Sequence, residues 1–256
     1  MSYSPNAPRP VSEIRKKINR VQQAELLVNS TQSLDDVYTL LNQLSSDVLD
    51  MYPHIACRTQ CNTCCKGTSM PTASPAEWEM VHDYLMRFYT PEARAALIER
   101  MRSYYNPNRE AYWQVHDTIQ QVPDLEKLEQ FKRVLPQLKA TQCPLLVDEK
   151  CSVYMSRPAK CRAHGAFLFQ LQDHVQLHAC SAEVDKMEAY LEQQGSRKVT
   201  IPFWNPFEDK IVNSYNPPGA VSTILPIWLV THIEDGELIE DAQLLPDFDA
   251  FRERLI

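Results

Sequence analysis

The sequence predicts a mainly α protein with a small β element, arranged around an irregular cysteine-rich centre. Three observations carry that expectation. Capped, amphipathic segments at helical period follow one another along the chain. One short pair of β-patterned segments stands late in the sequence. Eight cysteines fall into two blocks, one over 57–65 and one over 143–180.

Residues 1–11 are short, polar and proline-rich and are expected to be disordered. Val11 to Val28 reads as a charged helix with a thin apolar stripe. Ser33-Leu-Asp-Asp36 is a capping box opening a second helix, in which Leu34, Val37, Leu41, Leu44 and Val48 repeat at steps of three and four. The two would form an N-terminal helical hairpin over 12–53. Ser74-Pro-Ala-Glu77 caps the next helix, with Pro75 in its first turn, where a missing N–H does no harm. Thr90-Pro91-Glu92 begins another in the same way. Residues 108–139 read as mostly helical, interrupted near Pro123 and ended by Pro136.

The character then changes. Residues 166–172 and 174–178 alternate like two short strands joined at Gln172-Asp173. Ser181 to Gln194 is helical and stops at Gly195. Val199 to Trp204 reads as a strand, 205–218 as loop, Ile224 to Ile233 as a buried strand or short helix, and Asp247 to Leu255 as a closing helix. Residues 54–195 are expected to form a cysteine-cluster domain, with 196–256 as an extension packed on it. The aromatic run 202–207 reads as a core plug, and Met80, Met86 and Met101 as core filling.

With 256 residues, 44% hydrophobic and 23% charged, the chain is long enough to bury a core without disulfides. A net charge of −7 argues against nucleic acid or an anionic membrane as the main partner. No run approaches the roughly 20 apolar residues that cross a bilayer. The N-terminus lacks the apolar stretch of a secretory signal. A cytoplasmic location, where thiols stay reduced, is the expectation, and four disulfides are the alternative. No phosphate-cradling glycine loop, GxSxG or HExxH motif is present.

The first block is Cys57-Arg-Thr-Gln-Cys61-Asn-Thr-Cys64-Cys65, four cysteines in nine residues. On a helix the four fall at i, i+4, i+7 and i+8, one stripe at about 100° per residue. In a loop, Cys61-x-x-Cys64 is a chelating knuckle. Adjacent Cys64 and Cys65 serve different atoms of a cluster more easily than one tetrahedral ion, or one ligates while the other packs. The spacing Cys57-x-x-x-Cys61-x-x-Cys64 is similar to that by which radical S-adenosylmethionine enzymes hold three irons of a [4Fe–4S] cluster. Thr63 stands where those enzymes usually carry an aromatic residue, and mostly helices follow here rather than alternating strands and helices.

The second block reads Cys143-Pro-Leu-Leu, then Cys151-Ser-Val-Tyr-Met-Ser-Arg157-Pro-Ala-Lys-Cys161-Arg162, then Cys180. A site of several thiolates stays anionic after a divalent metal binds, so Arg157 and Arg162 are candidates to offset its charge and donate N–H to sulfur. Ordinary surface pairing is the alternative for either one. His164 and His178 are further candidate ligands.

Across 57–180, about half the chain, the CC pair, C-P-L-L and C-S-V-Y-x-x-R-P-x-x-C-R resemble the YkgJ-like cysteine-cluster proteins, described as zinc- or iron-chelating domains. That family writes its first motif C-x-x-C-x-x-C-C, whereas three residues separate Cys57 from Cys61 here. The resemblance implies an irregular cysteine-rich metal-binding centre with Cys57, Cys61, Cys64, Cys65, Cys143, Cys151, Cys161 and Cys180 as ligands. Related blocks resemble those at the front of flagellin lysine methylases, which adds methyl transfer as an enzymatic alternative, although no GxGxG loop is present. Eight cysteines are enough for two closed zinc sites or for an iron–sulfur cluster with spare thiols, and the adjacent pair favours the cluster. The expected role is accessory, metal-handling or redox, with a protein partner. A cluster-dependent enzyme and a purely structural metal are the alternatives.

Overall fold

The computed structural model describes residues 11–55, 57, 62–66, 71–121, 124–171, 174–195 and 198–256. The expected disorder of the N-terminus, the break at Pro123, the Gln172-Asp173 turn and Cys61 lie outside these residues, apart from Val11, which begins the first helix. The described residues are mainly helical with small sheets.

The N-terminal third holds α1 (Val11–Gln22), α2 (Ala24–Asn29) and α3 (Leu34–Met51). The single helix expected over 11–28 is two pieces, because Gln23 leaves helical geometry at φ −97°, ψ 8°. Both pieces pack against α3. The capping box of α3 forms: Ser33 Oγ accepts from Asp36 N at 3.1 Å, and Asp36 Oδ2 accepts from Ser33 N at 3.0 Å. Leu41, Leu44 and Val48 are fully buried along one face.

Next come β1 (Thr72–Ala73), α4 (Pro75–Phe88) and α5 (Pro91–Gln121). In α4 the Ser74–Glu77 box forms, with Pro75 at the start of the helix. The long α5 kinks at Asn108 (φ −123°, ψ 15°), just after Pro107. Proline has no N–H to donate, and its ring crowds the preceding turn. Asn108 Nδ2 donates to the Tyr104 carbonyl at 2.8 Å, which keeps that acceptor satisfied. Then follow α6 (Asp124–Val134), a 3-10 turn at Leu135–Leu138, the hairpin β2 (Leu146–Val147) and β3 (Lys150–Cys151), and the short α7 (Ala159–Ala163).

The expected strand pair is β4 (Leu168–Leu171) against β5 (His174–Leu177), antiparallel, followed by α8 (Ser181–Gln194) ending at left-handed Gly195. Val199 to Trp204 does not form a strand. It docks through Leu168 N to Pro202 O at 2.9 Å and Trp204 N to Leu168 O at 2.7 Å, and Pro202 has no N–H with which to extend a ladder. The expected loop over 205–218 contains α9 (Asn205–Ser214) instead. Pro206 is tolerated in its first turn, and Phe207 and Ile211, four apart, bury one face. Beyond it, β6 (Thr223–Ile224) pairs with β1, and α10 (Leu225–Thr231) is buried at every position. The hairpin β7 (Ile233–Glu234) and β8 (Glu237–Leu238) follows. The expected closing helix is only a 3-10 turn at Phe248–Phe251. Its path is set by anchors to α5, among them Arg252 to Asp117 at 2.6 and 3.0 Å and Arg109 to Glu253 at 3.1 Å.

Two hydrophobic cores result. One gathers α4, α5 and α10 around Trp78 and Trp228, whose rings stack at 5.9 Å. The other gathers α1, α2, α3, α7 and α9 around Leu41, Leu44, Phe167 and Phe207. Met101 is fully buried in the first, and Met80 and Met86 pack against the cores. Trp204 and Phe207 plug the second while Phe203 stays 40% exposed.

His232 is a neutral structural group: its Nε2 accepts from Trp78 Nε1 and Gln243 N, both at 2.9 Å, leaving Nδ1 to donate to the Trp228 carbonyl. His116, 5% exposed, meets Thr223 Oγ1 at 2.8 Å, and burial holds its imidazole down to about 4. The folded state therefore resists a proton that the unfolded chain accepts from about pH 6.5. The contribution of His116 to stability is complete above that pH and is lost as pH falls toward 4. The stability difference between wild type and His116→Gln, followed by urea unfolding, is expected to shrink by about 3 kcal/mol across this window. A pH-independent difference contradicts the assignment.

Candidate metal centre

A cavity of about 700 Å³ opens between the two cores, and six cysteines line it: Cys57, Cys64, Cys65, Cys143, Cys151 and Cys161. Both sequence blocks contribute. Their joining is local and physical. Cys64 and Cys65 sit on a 3-10 turn, Thr63–Cys65, and the Cys143 N–H donates to the Cys65 carbonyl at 2.7 Å. Asn62 Nδ2 donates to the Glu149 carbonyl at 3.1 Å, and Lys66 pairs with the Glu149 carboxylate. Of the four-cysteine helical stripe, the described residues keep this 3-10 turn alone.

The hairpin β2–β3 carries Cys151. Its turn residues, Asp148 and Glu149, take left-handed φ values of 47° and 62°. Without glycine or asparagine there, sequence patterning had no strong signal for it. Cys161 lies on α7, against α3: Ser45 Oγ donates to the Arg162 carbonyl at 2.9 Å. The polar side of α3, with Asn42, Ser45, Ser46 and Asp50, forms the facing wall. Cys57 lies against Gly165 (φ +85°), where an added Cβ would fall 2.5 Å from the Cys57 sulfur. Cys180 sits at the N-cap position of α8, without a side-chain capping bond, and is not part of the cavity wall.

The thiols differ in acidity. The neighbouring Cys65 thiol holds Cys64 below the ordinary thiol range, while Cys64 and burial push Cys65 up. Burial pushes Cys143 up to about 12 and also raises Cys151 and Cys161. Loading such a site with a cation must release protons.

The two arginines part company. Arg162, 7% exposed, lies over the Tyr38 ring at 4.1 Å. It donates to the Arg157 carbonyl at 3.0 Å, to Asn42 Oδ1 at 3.2 Å and to the Met155 carbonyl. It braces the loop. Arg157 lies over the Tyr154 ring at 3.7 Å and lines the cavity, and its buried Nε and Nη1 have no hydrogen-bond partner.

The histidines part in the same way. His178 places Nε2 3.2 Å from the Lys160 carbonyl, away from the cavity wall. His164 lines the cavity, and its buried Nε2 is unpartnered. Their rings meet edge to face at 5.0 Å. Burial lowers His164 to about 4 and His178 to about 3, so both are neutral near pH 7.

The sulfurs line walls rather than meeting at a point. Among the described residues, no three His, Cys, Asp or Glu side chains converge closely enough to hold one metal ion. Comparison with protein-family models, curated proteins and solved structures finds no match to this chain.

Gly165→Ala tests the packing of this wall. The left-handed backbone alone costs about 1–2 kcal/mol for alanine, and the contact with Cys57 adds to it. A lowered melting temperature together with altered alkylation of Cys57, read by mass spectrometry, is the expected result. Wild-type behaviour contradicts the close approach.

Proposed function

We propose that this chain is a metal-binding cysteine-cluster protein whose thiolates, drawn from both blocks, hold an inorganic centre in the cavity. The observation that carries the reading is the sharing of one cavity by six thiols from distant parts of the chain, with the unpartnered N–H groups of Arg157 on its wall. Arg157 is half-buried, and leaving its buried Nε–H and Nη1–H unused is costly unless an anionic, acceptor-rich group meets them. A thiolate–metal centre is such a group. The resemblance of both blocks to the YkgJ-like family supports the same reading.

An iron–sulfur cluster is preferred over zinc. Closed structural zinc needs four ligands converging tetrahedrally on one ion, and among the described residues, which leave out Cys61, no three side chains do so, whereas a cluster accepts sulfurs spread over several metal atoms. When bound, such a cluster supplies one-electron chemistry, and the cavity-lining Cys57, Cys64, Cys65, Cys143, Cys151 and Cys161 are the residues that would hold it. Arg157 would offset its charge, and Arg162 would brace the loop.

An accessory, metal-handling or redox role with a protein partner follows. Exposed Tyr154 and Met155 on the cavity rim supply an apolar contact for such a partner. Among the described residues no helix is long and apolar enough to cross a membrane.

A second reading, a cluster-dependent enzyme of redox or methyl-transfer type, is favoured by the room available. At about 30 Å³ per water the cavity holds the equivalent of about 20 waters, and Arg157 and His164 line it.

Anaerobically purified protein is expected to carry stoichiometric metal, with broad brown absorption if iron–sulfur. Cys161→Ser removes it and Cys180→Ser retains it. A well-folded, metal-free wild type by elemental analysis sinks the reading. Arg162→Gln should lower stability by about 2–4 kcal/mol through its orphaned carbonyl partners. Arg157→Gln should leave the apo-protein's melting temperature within a few degrees of wild type and reduce metal retention, so equal thermal losses in the two variants contradict the division of roles.

A further inference from the structure

Glu77 does more than cap a helix. In a capping box the carboxylate returns to its own N-cap N–H and normally stays near solvent. Here Glu77 is only 5% exposed, and burial raises its carboxyl. One oxygen, Oε2, accepts from Ser74 N at 2.9 Å, as the box requires. The other, Oε1, leaves the box. It accepts from Ala159 N at 2.7 Å, the first residue of α7, and from the Tyr38 hydroxyl at 3.3 Å.

Ala159 stands two residues before Cys161. Tyr38 is the ring on which Arg162 rests, one residue after Cys161. A single carboxylate on α4 thus grips α7 from one side and, through Tyr38, its neighbouring arginine from the other. It also ties α4, which carries Trp78 of the first core, to Tyr38 and Ala159 of the second. Burying a carboxylate is expensive, and a cap needs no such burial, as Asp36 in the box of α3 demonstrates on the surface.

We infer that Glu77 is a positioning residue for Cys161, fixing the thiol that α7 presents to the cavity. The inference rests on the metal-binding reading and adds a residue outside both cysteine blocks to the site. Outer partners that orient a ligand typically change metal affinity about 10- to 100-fold when removed.

Two variants separate positioning from capping. Glu77→Asp keeps a carboxylate able to close the box, as Asp36 does, but is one methylene too short to hold Ala159. Ser74→Ala weakens the cap and leaves the Glu77–Ala159 contact alone. The full chain is titrated anaerobically with cobalt(II), and the thiolate-to-cobalt charge-transfer absorption is followed. Glu77→Asp should bind about 10- to 100-fold more weakly, with reduced charge-transfer intensity per cobalt, while staying folded at a melting temperature lowered about as far as in Ser74→Ala. Ser74→Ala should melt lower yet bind and absorb as wild type. If Glu77→Asp binds as wild type, or unfolds, or if the two variants weaken binding equally, the inference is overturned while metal binding stands. A wild-type chain that takes no cobalt overturns both.

Discussion

The hydrogen bond from the Cys143 N–H to the Cys65 carbonyl is the constraint on which the site depends. It is a main-chain contact, so it joins two remote segments whatever their side chains do. Lys66, Asn62 and Glu149 reinforce the junction at the surface, where an ion pair alone contributes little. The β2–β3 turn then presents Cys151 beside Cys64, and the braced loop returns Cys161 to the same space. Sulfur atoms that cannot be neighbours by local geometry become neighbours through these few backbone contacts.

The cavity persists because neither core fills it. One core closes around stacked Trp78 and Trp228, the other around the apolar face of α3 and the aromatic plug of Trp204 and Phe207. Their facing edges carry the groups that apolar packing cannot use: thiols, the polar stripe of α3, Arg157 and His164. Most buried polar groups among the described residues are satisfied, as the double acceptance by His232 illustrates. Arg157 and His164 instead hold unused buried polar atoms against the sulfur-lined space. Other buried polar atoms, such as Trp204 Nε1 and His54 Nε2, also lack a partner, but those of Arg157 and His164 are the ones that line the sulfur-walled cavity, where a polar or ionic group would meet them.

Local signals were legible wherever a residue acts on its own neighbours. The boxes at Ser33 and Ser74, the stop at Gly195, the β4–β5 pair and the mainly helical character follow from capping chemistry and period alone. Misreadings cluster where distant contacts rule. Pro and Asn suggested a loop over 205–218, but burial of Phe207 and Ile211 makes α9. Trp204 belongs to the second core instead of a strand. The last residues follow ion pairs to α5 instead of completing a helix. The β2–β3 hairpin went unread because its turn uses Asp148 and Glu149 in a conformation normally supplied by Gly or Asn.

Sequence alone determined which residues have the chemistry, because thiol, guanidinium and imidazole are properties of the side chain, and it determined the helices that cap and pattern themselves. Only the tertiary structure decided how those groups are shared out. Six thiols face one space while Cys180 does not, Arg157 keeps two buried N–H groups without hydrogen bonds while Arg162 is consumed by carbonyls, and a capping glutamate is drawn into the interior against Ala159 of α7. The reason is that convergence and burial depend on contacts between segments far apart in the chain, and no local pattern encodes which neighbour a side chain will meet.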